Sequence, residues 1–137
     1  ALPQTASANV NCRIFPGVQV EDVRLELQSV VGKDIDVKLV RPVISSDASP
    51  LREDVLKAVA RAINRIRPGV PVVPTMSAGA TDGLVFRGAG IPTYGVDGNF
   101  MRPKDEFAHG LNERLSVKSF YDSLTYWHAL LKDLAGK

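Results

Sequence analysis

The sequence predicts an α/β fold. Two observations carry that reading. The first forty residues run strand, helix, strand, and from Pro50 onward helical and strand-like segments alternate, the pattern of layered α/β architecture. A third observation divides the chain. Arg41-Pro42 to Ser49 is broken by Pro and Ser and carries no helical period, so it reads as a boundary.

The elements follow in order. From Asn9 to Phe15, Val10, Cys12 and Ile14 alternate with Asn11 and Arg13, the period of a half-buried strand, which Pro16-Gly17 ends. Val20, Val23, Leu27 and Val30 then recur at helical spacing, and Gly32 stops that helix. Ile35, Val37 and Leu39 alternate with Asp36 and Lys38 as a second strand, so the unit is compatible with half of a split βαβ domain. Ser49 suits an N-cap with Pro50 at the first helical position. Leu51, Val55, Ala58, Ala62 and Ile66 form the stripe of a long helix ended by Pro68-Gly69. Val70 to Pro74 reads as a short buried strand, and Ser77 to Gly83 as a loop of small residues. A short helix follows from Asp82 to Ala89, stopped by Gly90, and then a strand from Ile91 to Val96. Asp97 to Leu115 is irregular and polar. Ser116 caps a last helix with the stripe Phe120, Leu124, Trp127, Leu131 and Leu134.

Composition narrows the class. With 137 residues, 45% hydrophobic and 23% charged, the chain has the length of one domain or two small pieces and needs no disulfide to hold a core. The single Cys12 cannot form an internal disulfide and does not reveal the compartment. A net charge of +2 gives no argument for nucleic acid or a membrane surface. The cluster Arg61, Arg65 and Arg67 lies along one helix and reads as a solvated face. No apolar run is long enough to span a bilayer, and no signal-peptide pattern is present. The first residue is Ala1 rather than Met, so the sequence reads as a processed chain or a fragment.

The segment Glu106-Phe107-Ala108-His109-Gly110-Leu111-Asn112-Glu113-Arg114-Leu115 holds the most chemistry. Taken alone, a histidine before a helix reads first as a surface or hydrogen-bonded residue. His109 gains weight from its place in an irregular loop after a strand, where α/β proteins put their sites. Neutral imidazole is also a common zinc ligand. Asn112 and Glu113 lie within reach of the same turn, and Glu113 is of the type that orients metal ligands from behind. The loop Ser77-Ala78-Gly79-Ala80-Thr81-Asp82-Gly83 is either a plain turn or a cradle of backbone N–H groups for a carboxylate or phosphate. It lacks the Lys-Ser/Thr pair of a P-loop. Thr81 and Asp82 belong to it, Asp82 as a cap or an orienting carboxylate. Arg13, on the polar face of the first strand, is either solvent-facing or a bidentate clamp for a carboxylate. His128, beside Trp127, reads as a helix-surface or packing histidine.

Three stretches taken together resemble a known family. Ala8 to Gly17, Val73 to Gly83 and His109 to Arg114, in that order, are similar to the C-terminal half of the dinuclear zinc hydrolases of metallopeptidase family twenty. These include carboxypeptidase G, aminoacylase, acetylornithine deacetylase and succinyl-diaminopimelate desuccinylase. The wording around Met76 to Gly83 and Phe107 to Arg114 is most similar to the carboxypeptidase S-like branch. The resemblance implies that residues 1–40 are the last strand-helix-strand of a ferredoxin-like lid domain that often dimerises. Residues 41–137 would be the C-terminal part of the α/β catalytic domain. It implies that His109 is a zinc ligand, that Asn112 contacts substrate near the metal, and that Arg13 binds the substrate carboxylate. Gly79, Ala80 and Thr81 would meet the same end of the substrate, with Arg87 a weaker substrate-side candidate.

The resemblance further implies two zinc ions, with cobalt or manganese also suited to such ligands. The substrate would be a peptide or N-acyl amino acid with a free carboxylate. The family's H-x-D motif, bridging aspartate and Glu-Glu pair lie in its N-terminal half, and this sequence contains none of them. The expectation is a chain inactive alone, which pairs with the N-terminal half of its own protein or with a second copy. A non-catalytic dimerisation or binding module derived from the family is the alternative. A generic α/β binding domain is a third reading, disfavoured by three matches in order.

Overall fold

The computed structural model describes residues 1–105 and 107–136. It contains four α-helices: α1 (Val20–Val31), α2 (Glu53–Ile66), α3 (Gly83–Gly88) and α4 (Val117–Ala135), with a 3₁₀ turn at Pro103–Asp105. No strand is present among the described residues. The chain divides into two units: Ala1–Ser49 with Ser77–Thr93, and Pro50–Met76 with Tyr94–Lys137.

The first unit holds α1 and α3. Gly32, at φ +79°, ends α1 by donating to the Gln28 carbonyl, as its position after the apolar period predicts. The segment expected to form the second strand lies against α1 instead. Gln28 Nε2 donates to the Gly32 and Ile35 carbonyls at 2.7 and 2.8 Å, and Val37 N–H donates to Gln28 Oε1 at 3.0 Å. Arg24, gripped by Glu21 at 2.6 Å, donates to the Val37 carbonyl at 3.3 Å. The backbone of this segment is thus partly satisfied by two helix side chains.

That contrast explains all four missing strands. A helix closes its hydrogen bonds within a few residues. A strand needs a neighbouring strand, and the alternation of Asn9–Phe15 cannot supply one. No described residue pairs with it along a ladder. Val70–Pro74 and Ile91–Val96 likewise run without one. The α/β expectation therefore holds for its helices and not for its sheet.

In the second unit α2 packs on α4. Ala58, Val59 and Ala62 from α2 meet Tyr126 and Leu130 from α4, with Val55, Ile63, Ile66, Val72, Val96 and Ala129 around them. The buried face of α4 is not its most apolar one. Ser119, Ser123, Tyr126 and Leu130 turn inward, while the expected stripe lies one position away, with Leu124 51% and Leu131 57% exposed. Small residues are buried on both helices, Ala58 and Ala62 on α2 and Ser119 and Ser123 on α4, and small side chains allow close approach. The stripe of α2 shifts similarly, taking in Val59 and leaving Leu51 exposed.

Two local expectations change. Ser49 does not cap α2, which starts at Glu53. Its hydroxyl instead donates to the Thr93 carbonyl and accepts the Thr93 N–H, both at 2.8 Å. The arginines of α2 are also more than a solvated face. Arg61 pairs with Asp133 at 2.7 Å, and Arg67 with Asp122 at 2.8 Å. No helix among the described residues is long and apolar enough to cross a membrane.

Candidate functional site

His109 sits where two turns meet. Gly110 N–H donates to the Phe107 carbonyl at 3.0 Å, and Glu113 N–H to the Gly110 carbonyl at 3.1 Å. Between them His109 has φ +62°, the one non-glycine residue with positive φ among those described. L residues enter this region at a cost, and when they do so outside glycine the position often has a function. The imidazole is exposed, and no described residue hydrogen-bonds to it. Asn112 and Glu113 lie on the same pair of turns, exposed, and neither side chain has a partner among the described residues. The orienting bond expected of Glu113 is therefore not made here. Glu106, the first residue of the segment, lies outside the described residues.

The turns are closed by their flanks. The Arg114 guanidinium lies 3.7 Å from the centroid of the Phe107 ring, a cation–π contact joining the start of the first turn to the end of the second. Upstream, Arg67 stacks over Phe100 at 5.2 Å while pairing with Asp122. Lys118 and then Arg67 beside Asp122 hold its carboxyl below the usual carboxylate range. Downstream, Ser116 caps α4 as expected, its side chain accepting the Ser119 N–H. Nothing in the local sequence pattern marks Ser119, because it acts on a loop residue far back in the chain, Phe100, while Arg114 acts on Phe107. The order Phe107…Arg114 around a glycine-containing turn was the one available signal.

In the first unit, Thr81, Asp82 and Arg87 gather around Gly83. A Cβ at Gly83 would stand 2.9 Å from an Arg87 guanidinium nitrogen, 3.1 Å from Thr81 Oγ1 and 3.2 Å from Thr93 Cγ2. Arg87 folds back over the helix start because no side chain blocks it, and its Nε reaches Ser46 Oγ at 3.4 Å. This fixes the arginine next to the loop. The loop's backbone is less open than the sequence suggests. Gly79 N–H already donates to Ser77 Oγ at 3.0 Å, and Leu84 and Val85 N–H donate to Thr81 and Asp82 carbonyls. Asp82 occupies the N-cap position of α3 without a side-chain cap bond. Ala80 and Arg13 are exposed, and Arg13 has no ion-pair partner among the described residues.

Among the described residues no group of three or more His, Cys, Asp or Glu side chains could hold a metal ion. His109 suits one ligand position, and the described residues do not complete the set. His128 is exposed on α4 and belongs to no such group.

Comparison with known proteins gives a consistent picture. The family described as peptidase family M20/M25/M40 matches residues 4–133. The chain is 28% identical to the N-fatty-acyl-amino acid synthase/hydrolase PM20D1 of Homo sapiens over 141 aligned positions, covering 96% of this chain and 27% of that protein. It is 28% identical to the protein of the same name from Xenopus tropicalis, covering 96% and 26%, and 24% identical to that of Mus musculus, covering 91% and 26%. The chain thus spans about a quarter of the length of the curated relatives it matches. No solved structure matches it.

Proposed function

Because this chain belongs to peptidase family M20/M25/M40, we propose that it is the C-terminal portion of a zinc-dependent amidohydrolase that cleaves peptide or N-acyl amide bonds beside a free carboxylate. Residues 1–40 would contribute to a lid and dimerisation domain, and residues 41–137 to the catalytic domain. The single observation that carries the reading is His109, an exposed imidazole without a partner among the described residues, held at φ +62° between two hydrogen-bonded turns. A surface histidine gains nothing from that backbone, whereas a ligand that must present its ring in one direction does.

His109 offers one ligand. A metal held there would supply Lewis-acid polarisation of the amide carbonyl and an acidic bound water. The other ligands and the general base would come from residues beyond this chain, so the 137 residues alone would not hydrolyse anything. What this chain adds is recognition. Asn112 shares the turns of His109 and would contact the substrate near the scissile amide. Arg13, with the Gly79, Ala80 and Thr81 loop and Arg87, would hold the carboxylate, and Asp82 and Glu113 would orient neighbours. A buried carboxylate without such partners costs several kcal/mol, about 2 or more, which would make the carboxylate a requirement of the substrate. The relatives named as N-fatty-acyl-amino acid synthase/hydrolases point the same way, since an N-acyl amino acid joins an amide to a carboxylate.

The rival reading is a non-catalytic dimerisation or binding module, favoured by the lack of a complete ligand group on the described residues. One experiment separates the two. In the longer polypeptide, His109→Ala is expected to lose bound metal and nearly all amide hydrolysis. Arg13→Ala is expected to raise KM for carboxylate substrates about tenfold or more with metal content unchanged. Full metal content in the His109 variant would remove His109 from the shell and leave the module reading.

A further inference from the structure

The two turns around His109 are the tip of a longer loop, described at residues 100–105 and 107–116, and both ends of that loop converge on one residue. Ser119, in the first turn of α4, is buried at 4% exposure. Its hydroxyl donates to the Phe100 carbonyl at 2.9 Å, and its N–H donates to Ser116 Oγ at 3.5 Å. One serine thus ties the residue that enters the loop to the residue that leaves it. Around this base, Arg67 stacks on Phe100 and pairs with Asp122 of α4. At the tip, Arg114 on Phe107 closes the turns themselves.

The tip has little else to hold it. Among the described residues its internal hydrogen bonds are the two backbone bonds from Gly110 and Glu113, and it contains a histidine in the left-handed region. Such a residue persists only where its surroundings over-determine the backbone. A buried hydroxyl bonded to a loop carbonyl supplies that constraint, because breaking it would leave the Phe100 carbonyl without its partner. Ser123 lies one turn further along α4, is similarly buried at 8% exposure, and makes no bond to the loop. Two buried serines of one helix therefore differ: among the described residues Ser119 bonds to the loop and Ser123 does not.

We propose that Ser119 is a positioning residue that holds the His109 turn in its left-handed geometry by clasping Phe100 and Ser116. Its relevance to chemistry rests on the role given to His109 above, while the clasp itself does not. The test is amide hydrogen exchange at Gly110 and Glu113 in the full chain, followed by NMR. Ser119→Ala is expected to lower protection at both amides about tenfold, the worth of one such hydrogen bond. Ser119→Thr, which keeps the hydroxyl, is expected to restore most of it, and Ser123→Ala to leave it unchanged. Should Ser119→Ala unfold, Ser119→Cys keeps the volume with a weaker donor and is expected to lower protection in the same direction.

Unchanged protection in the Ser119 variant that folds, or an equal loss in Ser123→Ala, would overturn the clasp. A second arm, in the longer polypeptide, is cobalt(II) affinity by chelator competition. Ser119→Ala is expected to weaken it about tenfold, in the range of residues that support a metal ligand from behind. Unchanged affinity in His109→Ala would sink the reading of His109 while the exchange data still decide the clasp. Lost protection with unchanged affinity in Ser119→Ala would confine Ser119 to folding and overturn its positioning role.

Discussion

A histidine at φ +62° sits in a region that costs an L residue about 1–2 kcal/mol and glycine almost nothing. Glycine takes that region without strain, as it does at Gly17, Gly32, Gly69 and Gly90. The choice of histidine therefore concerns the imidazole. Two truncations separate the backbone from the ring. His109→Ala and His109→Gly both remove the imidazole, but only the glycine variant relieves the strain. The glycine variant is expected to be the more stable by about 1 kcal/mol in urea unfolding, after its greater unfolded-state entropy is counted. A glycine variant less stable than the alanine variant by about 0.4–1 kcal/mol, the cost of its unfolded-state entropy alone, would mean that the turn stores no strain. Gly83 shows the reverse logic: there the absent side chain lets Arg87 lie beside Thr81.

At the scale of elements, the second unit rests on a close approach of chain to helix as well as of helix to helix. A Cβ on Gly98 would stand 2.6 Å from Tyr126 Cβ and 2.7 Å from Cγ. Tyr126 is fully buried at the centre of the α2–α4 contact, so it cannot move aside. Gly98→Ala is expected to cost about 1–3 kcal/mol, the range for overpacking, read as a lower urea midpoint for the unit. A variant as stable as the parent would show that Gly98 does not abut the tyrosine. Neither constraint was visible in the sequence, where Gly98 read as part of an irregular polar stretch. What was legible was local. Gly32 and Gly90 stop their helices, Ser116 caps α4, and the short helix after Asp82 lies within a residue of its expected bounds. Each depends on residues within one turn. The His109 turn was legible as a place but not as a strained backbone, because positive φ at a histidine leaves no compositional mark. The strands failed because their hydrogen bonds depend on another strand. The buried face of α4 shifted by one position because α4 is apolar on adjacent faces, and only packing of Tyr126 and Leu130 against α2 selects the one that also carries serines.

The whole molecule leaves far more surface in water than its mass requires. It exposes 11437 Å², against roughly 7,000 Å² for a compact monomer of this mass. Treating the two units as separate globules raises the expectation only to roughly 8,400 Å². The excess, on the order of 3,000 Å² on this chain alone, is at least as large as one partner's share of a large obligate interface, roughly 2,500 Å². Much of it is apolar: Phe120, Leu124, Trp127, Leu131 and Leu134 line the outer face of α4, and Gly83 is the one buried residue described in the first unit. On the reading proposed above, in which this chain is part of a longer hydrolase, the rest of the same polypeptide would cover this face. The isolated chain should then self-associate as its concentration rises, with the emission of its single tryptophan, Trp127, shifting to the blue. Leu124→Glu with Leu131→Glu should keep the isolated chain monomeric by sedimentation, because charge on that face opposes its burial. In the longer polypeptide the same pair should be destabilising by several kcal/mol, about 3 or more, since two charges would be driven into a buried contact. If the longer polypeptide tolerates the pair without loss of stability, the face is open to solvent there and this account of the excess surface fails.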